Sequence, residues 1–437
     1  MGHQSYSFKI SEEERRWIWR HWHWWLLIIG LALRLALCLT VSKTAAFFGW
    51  DGTEYHAYAQ SLLAGQGDEY PRVAYAIRPP FYPIFLVPFV AISSQIVWHI
   101  QLVQSVLGVI SATILALVAG KLAGQKAGDW AFTISIVHPF LVNTVGYLMT
   151  ENIFIPLLWG GVLFLMKSDS DSTRISNKDV TIAGLLLGLA CLTRPPLQLF
   201  LVVAVCWIGW RAWKKQNIVS AIKRMALFTA VSSAALVPVL VWNWQKYREF
   251  TLSPHGWNVM YVYGNSSDYL QLYEAKTKQE YYKILDRMNV SISMEGAPAL
   301  DSWLAETHRF RTNHPEDWFR LQWYKFRHFW TPWLNPLIFP RSIFVLSLFT
   351  VTPIFILGLI EIWKRRKSFD SFLVLLIGLI FVGYLVGGLL FHVQVRYRIP
   401  FVDVAFIVLT ASFLGQLDFT RIFSLKPFKR EAQAQAT

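Results

Sequence analysis

Between Trp50 and Pro83 the chain reads WDGTEYHAYAQSLLAGQGDEYPRVAYAIRPPFYP, which sets Asp51, Glu54, His56, Asp68, Glu69 and Arg78 between two strongly apolar runs. Carboxylates that close to hydrocarbon are costly unless they are solvated at its edge or put to use. Asp51 and Glu54 stand three apart. A helix opening at Gly52 would place Asp51 at or near its N-cap and Glu54 in its first turn, which is a capping role. The chemical reading makes Asp51 a general base for a hydroxyl, helped by Glu54 or His56. Spacing alone leaves the two readings level.

Arginines recur beside proline pairs. Arg78 precedes Pro79-Pro80 and Arg194 precedes Pro195-Pro196, a context that holds the arginine in extended backbone; Arg396-Tyr397-Arg398 adds two more guanidiniums where the last apolar run begins. A single arginine at a helix end snorkels to lipid headgroups. Three such sites at helix ends favour one phosphate-binding place, because the guanidinium fork matches phosphate oxygens. Thr150-Glu151 opens another apolar run. Glu151 is either a carboxylate working inside the membrane boundary, with an arginine or hydroxyls as partner, or a dipole-favoured residue behind a Thr150 N-cap.

The elements that must position these residues follow from composition. The 437 residues are 54% hydrophobic and 16% charged, and the mean hydropathy is +0.37, which is the profile of a polytopic, all-α membrane protein. The net charge of +14 sits in short basic clusters between apolar runs. That is the positive-inside pattern, not a groove for nucleic acid. Apolar runs fall near 22–40, 79–97, 99–119, 131–148, 151–166, 180–193, 196–210, 224–242, 342–363, 371–391 and 399–416. Charge alternation works only if 79–97, with Pro79, Pro80, Pro83 and Pro88, dips into one leaflet without crossing. The expectation is ten spanning helices with both termini inside.

Three units follow: residues 1–242 as an N-terminal membrane module with the loop 42–78, residues 243–341 as an outer loop, and residues 342–437 as C-terminal spans with a cytoplasmic tail. Within 243–340 eleven Lys/Arg balance ten Asp/Glu, as in a folded extracytoplasmic segment. The stretch from Asp301 to Trp330 mixes aromatic and basic residues at helical spacing, as do helices lying on a membrane surface. The closing EAQAQAT reads as disordered.

Other motifs carry less. His21-Trp22-His23-Trp24-Trp25 reads as an aromatic interface anchor, since ligands two apart on a helix face different ways. Asp169-Ser170-Asp171 reads as a solvated turn. Asn265-Ser266-Ser267 and Asn289-Val290-Ser291 are glycosylation sequons. Cys38, Cys191 and Cys206 all sit in apolar runs and form neither a disulfide framework nor metal spacing. The first apolar run has no small-residue cleavage site and is expected to remain as an anchor. Neither a Walker motif nor Gly-x-Gly-x-x-Gly occurs, so nucleotide binding has no support.

In order along the chain, WDGTEYHAYAQSLLAGQG, RPPFYPIFL, HPFLVNTVGYLMTENIF, GLLLGLACLTRPPLQLF, VPVLVWNWQKYREFTLSPHGWNVMYVYGN, NHPEDWF and RYRIPFVDVAFIVLTA resemble a GT-C membrane glycosyltransferase. The resemblance is to the glycosyltransferase family 39-like, dolichyl-phosphate-mannose–protein mannosyltransferase superfamily, which includes the bacterial lipid A aminoarabinose transferases. It implies inverting transfer of a sugar from a polyprenyl-phosphate donor at the outer face of the plasma membrane. Asp51, the first acid of the first loop, would be the base, with Glu54 where many members carry a second, adjacent acid. Glu151 would face the donor or its phosphate. Arg78, Arg396 and Arg398 would hold the phosphate, with Arg194 and Tyr397 beside them. Arg78 stands where the aminoarabinose transferases carry a lysine. His56, Tyr55, Tyr82 and His255 are candidates for contact with the sugar or acceptor. No cofactor is required; Asp51, Glu54 and Glu151 are the residues that would hold a divalent metal, as some relatives do.

The chain offers no appended soluble domain to grip a folded protein, so a lipid or glycan acceptor is expected ahead of a protein. A transporter or flippase of polyprenyl-linked sugars is the competing reading, and it calls for pseudo-symmetric halves that the sequence does not show.

Overall fold

Backbone polar groups in hydrocarbon must be paired within their own segment, so a chain this apolar is confined to helices or a closed barrel. The computed structural model describes residues 12–41, 49–66, 78–92, 96–170, 173–368 and 370–417, and among them it is helical with no strand. Asp68, Glu69 and the tail lie outside the described residues, as do the side chains around Asn289.

The helices run α1 Glu12–Thr40, α2 Gly49–Leu63, α3 Phe81–Ile92, α4 Ile96–Ala123, α5 Gln125–Val137, α6 Glu151–Ser168, α7 Asn177–Cys191, α8 Gln198–Lys215 and α9 Ile218–Tyr247. Four more, α10 Gly256–Asn265, α11 Ser267–Glu274, α12 Lys278–Asn313 and α13 Pro315–Trp330, form a separate layer. The chain then returns through α14 Arg341–Arg365, α15 Ser371–Tyr384, a π-helical turn Leu385–Leu390, and a last segment spanning Val395–Gly415.

Seven of these are long and apolar enough to cross a membrane: Trp22–Thr40, Val97–Ala123, Pro195–Lys215, Ile218–Tyr247, Arg341–Arg365, Ser371–Leu390 and Val395–Gly415. Of the other three expected crossings, 151–166 and 180–193 fall on α6 and α7, of 18 and 15 residues, whereas the 131–148 run is broken: α5 stops at Val137, His138 is extended, and a five-residue helix Pro139–Asn143 follows. Helix α6 is buried along most of its length, so it meets protein where a longer helix would meet lipid. Close crossing of α7 and α9 depends on Gly188, where a Cβ would lie 2.9 Å from the Ser232 carbonyl oxygen. The 79–97 segment folds as α3, a 12-residue helix that keeps Pro88 inside it. At 1.5 Å per residue it reaches about 18 Å, short of a bilayer core.

Two motifs read as solvated prove to be structural. Asp169 is buried at the end of α6, 2.9 Å from Arg211 Nε and 2.7 Å from Lys215 Nζ. It also accepts from Ser371 Oγ at 3.3 Å, so it ties α6 to α8 and α15 at that end of the bundle and is not a solvated turn. Asn265 is also buried, its amide donating to the Tyr261 and Leu390 carbonyls at 2.9 and 2.8 Å, so the sequon there is closed to modification in the folded chain. His23 lies 3.0 Å from Asp129 Oδ1 and joins α1 to α5, while Trp24 and Trp25 face outward as an anchor would.

Helix α13 has two faces. Phe319, Trp323 and Phe326 are exposed; Leu321, Lys325 and Phe329 are buried. Lys325 therefore carries an ammonium into an apolar interior, donating to Leu389 O at 2.7 Å and Asn265 Oδ1 at 3.1 Å. Burial pushes its pKa from 10.5 down to about 7. Between those values the unfolded chain holds a proton that the folded chain lacks, so stability rises with pH across that window. The apparent Tm of the detergent-solubilised protein is expected to climb from pH 7 to pH 9.5, and to climb less in Lys325→Met.

Candidate active site

Helix α2 begins at Gly49, earlier than the sequence suggests, so Asp51 and Glu54 lie one turn apart on the same face. Both point at Arg78. Arg78 Nη2 lies 2.5 Å from Asp51 Oδ1, and Arg78 Nε donates to Glu54 Oε2 at 2.6 Å. The other Asp51 oxygen accepts from Arg396 Nη1. Guanidiniums, not backbone amides, thus hold the Asp51 oxygens, and the capping reading of this pair falls away. Burial works to raise the Asp51 pKa, but Arg396 and Arg78 outweigh it and hold the carboxyl well below the usual carboxylate range.

A second pair lies across the cleft. Glu151 is buried at the start of α6, with Arg194 Nη2 2.5 Å from its Oε1, close for an ion pair although the angle is not that of a linear hydrogen bond. Thr150 stands at the N-cap position but its side chain does not cap the helix: its hydroxyl donates to Glu151 Oε2 at 3.2 Å and accepts from Arg194 Nε at 3.1 Å. The Tyr397 ring lies between the two halves. Arg194 and Arg396 sit 5.2 and 5.0 Å from its centroid, and its hydroxyl accepts from Arg396 Nη2 at 3.0 Å.

These groups line an open cleft whose remaining lining is largely apolar, with Met149, Trp257, Met260, Val386, Phe391 and Phe401 among it. The charged lining is Asp51 and Glu151 against Arg78, Arg194 and Arg396, a formal excess of one positive charge. Glu54 stands behind Arg78 and steadies it.

The remaining candidates are placed differently. Tyr55 lines the cleft, and burial raises its phenol pKa to about 12. Tyr82 is fully buried behind Tyr55, donating to Gln104 Oε1 at 2.8 Å, and does not reach the cleft. His56 and His255 are not in its lining; the neighbours Ser253 and Gly256 are. Arg398 is the clear departure. It points away into the core, paired with Asp403 at 2.8 and 3.0 Å and donating to the carbonyls of Phe329, Thr331 and Pro332. Every N–H it has is spent on the fold, so of the two arginines in Arg396-Tyr397-Arg398 only Arg396 lines the cleft. Among the described residues no three His, Cys, Asp or Glu side chains converge as a metal would need. Asp51, Glu54 and Glu151 each face a guanidinium where a cation would have to sit, and as arranged they do not form a metal site.

Sequence reasoning missed Gln394, which accepts from Arg396 Nε at 2.6 Å, and the Trp257–Met260 wall. A polar residue two before an arginine carries no signal of its own. Lys325 was also missed, although its spacing of four from both Leu321 and Phe329 marks it as sharing their buried face.

Known proteins share this architecture. Residues 77–242 match the family of dolichyl-phosphate-mannose-protein mannosyltransferases. Among solved structures, the chain is similar to the Archaeoglobus fulgidus oligosaccharyltransferase in its apo form, with 14% identity and a TM-score of 0.54 over 91% of this chain. It is similar to the same enzyme tethered to an acceptor peptide carrying the NVT sequon, with 12% identity and a TM-score of 0.53 over 90% of this chain. A third likeness, at 12% identity and a TM-score of 0.52 over 91% of this chain, is to archaeal AglB from that organism in complex with an inhibitory peptide and a dolichol-phosphate. The chain spans about half the length of these relatives, 50% in each case. No curated protein sequence matches it. The fold is that of a multi-pass membrane protein of GT-C type.

The two arginines of Arg396-Tyr397-Arg398 are expected to fail differently. Arg398→Met strips the counter-ion from buried Asp403 and should cost roughly 3–5 kcal/mol, the usual consequence of an orphaned buried charge. Arg396→Gln should cost far less, because Asp51 keeps Arg78 and the cleft admits water. Thermal unfolding of the two variants in detergent separates them; equal losses would contradict the placement of Arg398.

Proposed function

We propose that this protein transfers a sugar from a polyprenyl-phosphate donor to a hydroxyl of an envelope lipid or glycan, with inversion, at the extracytoplasmic face of the plasma membrane. The observation that carries the reading is Asp51 held between Arg78 and Arg396 at an apolar-walled cleft. A polyprenyl-phosphate sugar is a phosphodiester with one negative charge, which suits the Arg78, Arg194 and Arg396 guanidiniums in the lining, and its isoprenoid chain suits the apolar Trp257, Met260, Phe391 and Phe401. The dolichol-phosphate bound by the archaeal relative supports a lipid-phosphate donor.

In the transfer, the acceptor oxygen attacks the anomeric carbon while Asp51 takes its proton. The bond from that carbon to the phosphate oxygen breaks, and polyprenyl phosphate leaves with a second negative charge. Charge develops on the phosphate, so Arg396 and Arg194 act where electrostatic stabilisation is worth most. No nucleotide or redox partner enters the balance.

A carboxylate clamped by two guanidiniums is a poor base, since proton-transfer efficiency follows basicity. The arriving phosphate competes with Asp51 for the same guanidiniums. As Arg396 turns to the phosphate, the Asp51 oxygen it releases regains affinity for a proton. Donor binding thus activates the base, and the donor must bind before the acceptor reacts.

Purified protein in nanodiscs tests this with a panel of polyprenyl-phosphate sugars. Asp51→Asn is expected to bind donor at least as tightly as wild type, because Arg78 and Arg396 lose their competitor. Release of polyprenyl phosphate should fall roughly 10²–10⁴-fold, the usual worth of a positioned base. Normal turnover in Asp51→Asn would remove Asp51 from the mechanism. Donor movement across the bilayer by wild type without release of polyprenyl phosphate would point to a transporter instead.

A further inference from the structure

Arg396 reaches the cleft only if the backbone leading into the last span is held in register. That backbone, residues 391–394, is a non-helical link between the π turn Leu385–Leu390 and the helix that opens at Val395. The 243–341 layer grips it and the turn before it. Lys325 Nζ donates to Leu389 O at 2.7 Å, and Asn265 Nδ2 donates to Leu390 O at 2.8 Å. Lys325 also donates to Asn265 Oδ1 at 3.1 Å, which orients that amide. The Tyr269 hydroxyl accepts from Val393 N at 2.8 Å and donates to Val393 O at 3.2 Å. Gly264 lets α10 lie directly on the link: a Cβ there would fall 2.3 Å from His392 N. The His392 ring in turn packs against Tyr263 and Tyr397, with centroids 4.8 and 5.1 Å away.

Packing alone does not explain a lysine here. Lys325 is fully buried, and its ammonium donates to a carbonyl and an amide oxygen rather than to a carboxylate. Methionine would fill the same volume without the desolvation cost. What the ammonium adds is a donor for Leu389 O, an end-of-helix carbonyl that the helix itself leaves without a partner.

We propose that Lys325 is a positioning residue for Arg396: with Asn265 and Tyr269 it fixes residues 389–393, so that the 243–341 layer sets where the guanidinium stands in the cleft. The proposal rests on the reading of Arg396 as a ligand of the donor phosphate.

The test uses the full chain in nanodiscs, with a short polyprenyl phosphate as probe and amide hydrogen exchange as a second readout. Lys325→Met is expected to bind the probe roughly tenfold more weakly, since a lost charge-assisted hydrogen bond commonly costs that much. Arg396→Gln should weaken binding at least as much, and the double variant no more than Arg396→Gln alone. Amides of residues 391–397 should exchange faster in Lys325→Met while those of α4 and α9 keep their protection. Tyr269→Phe, a milder change, should speed exchange at Val393. Losses that add in full in the double variant, or exchange at 391–397 unchanged in both single variants, would overturn the proposal. Unaltered binding in Arg396→Gln would instead defeat the phosphate reading. Faster exchange at 391–397 would still uphold the positioning.

Discussion

The Asp51–Arg396 pair joins residues 345 positions apart, the first helix after α1 and the start of the last span. Neither charge can be left bare beside hydrocarbon, because an unpaired buried ion costs several kcal/mol even after relaxation. Asp51 therefore has two partners, Arg396 and, from the mouth of α3, Arg78, so it stays paired when one of them turns away. Glu151 and Arg194 obey the same rule across the cleft. The cleft is where these obligations meet, so the two ends of the chain are bound to a common place by electrostatics as much as by helix packing.

Pairing of this kind makes a site stable and inactive at once. The guanidiniums that render Asp51 affordable in an apolar setting also depress its basicity. A ligand that competes for the guanidiniums resolves the conflict, and a phosphate is the natural competitor because, like a carboxylate, it offers two oxygens that accept the guanidinium fork. Arg194 has a different arrangement. It lies over the Tyr397 and Phe154 rings, 5.2 and 5.5 Å from their centroids, and is held on its other side by Glu151 and Thr150 rather than by Asp51.

Much of the helical plan could be read from the chain because hydrocarbon thickness and backbone pairing leave few choices. Seven of the ten runs expected to cross are helices long and apolar enough to do so, while the proline-laden 79–97 segment yields only a 12-residue helix. Three of the ten are shorter than a bilayer demands, and sequence could not say that protein rather than lipid would cover α6. The site was readable where charge stands against hydrocarbon, as at Asp51, Arg78, Glu151, Arg194 and Arg396. It was not readable where two like residues sit two apart. Arg396 and Arg398 are equivalent in sequence, yet a π turn at Ile399–Asp403 and the buried Asp403 draw one inward and leave the other in the cleft. Tyr82 illustrates the same limit, since only the fold shows Gln104 waiting behind it.

The clamp also bears on what happens after transfer, on the reading that the donor is a polyprenyl phosphate. The leaving phosphate carries one more charge than the donor did, and a site built only to attract phosphate would hold its product most tightly. Here the protonated Asp51 must pass its proton to water before the next turn. Once ionised, it again contests Arg396 and Arg78 with the departing phosphate. The carboxylate that competes with donor entry thus competes more usefully with product retention, because it regains its charge only after the bond is made. A lining with a small positive excess, rather than a deep cationic pocket, follows from that need: enough charge to steady the transition state, and enough internal opposition to let the product go.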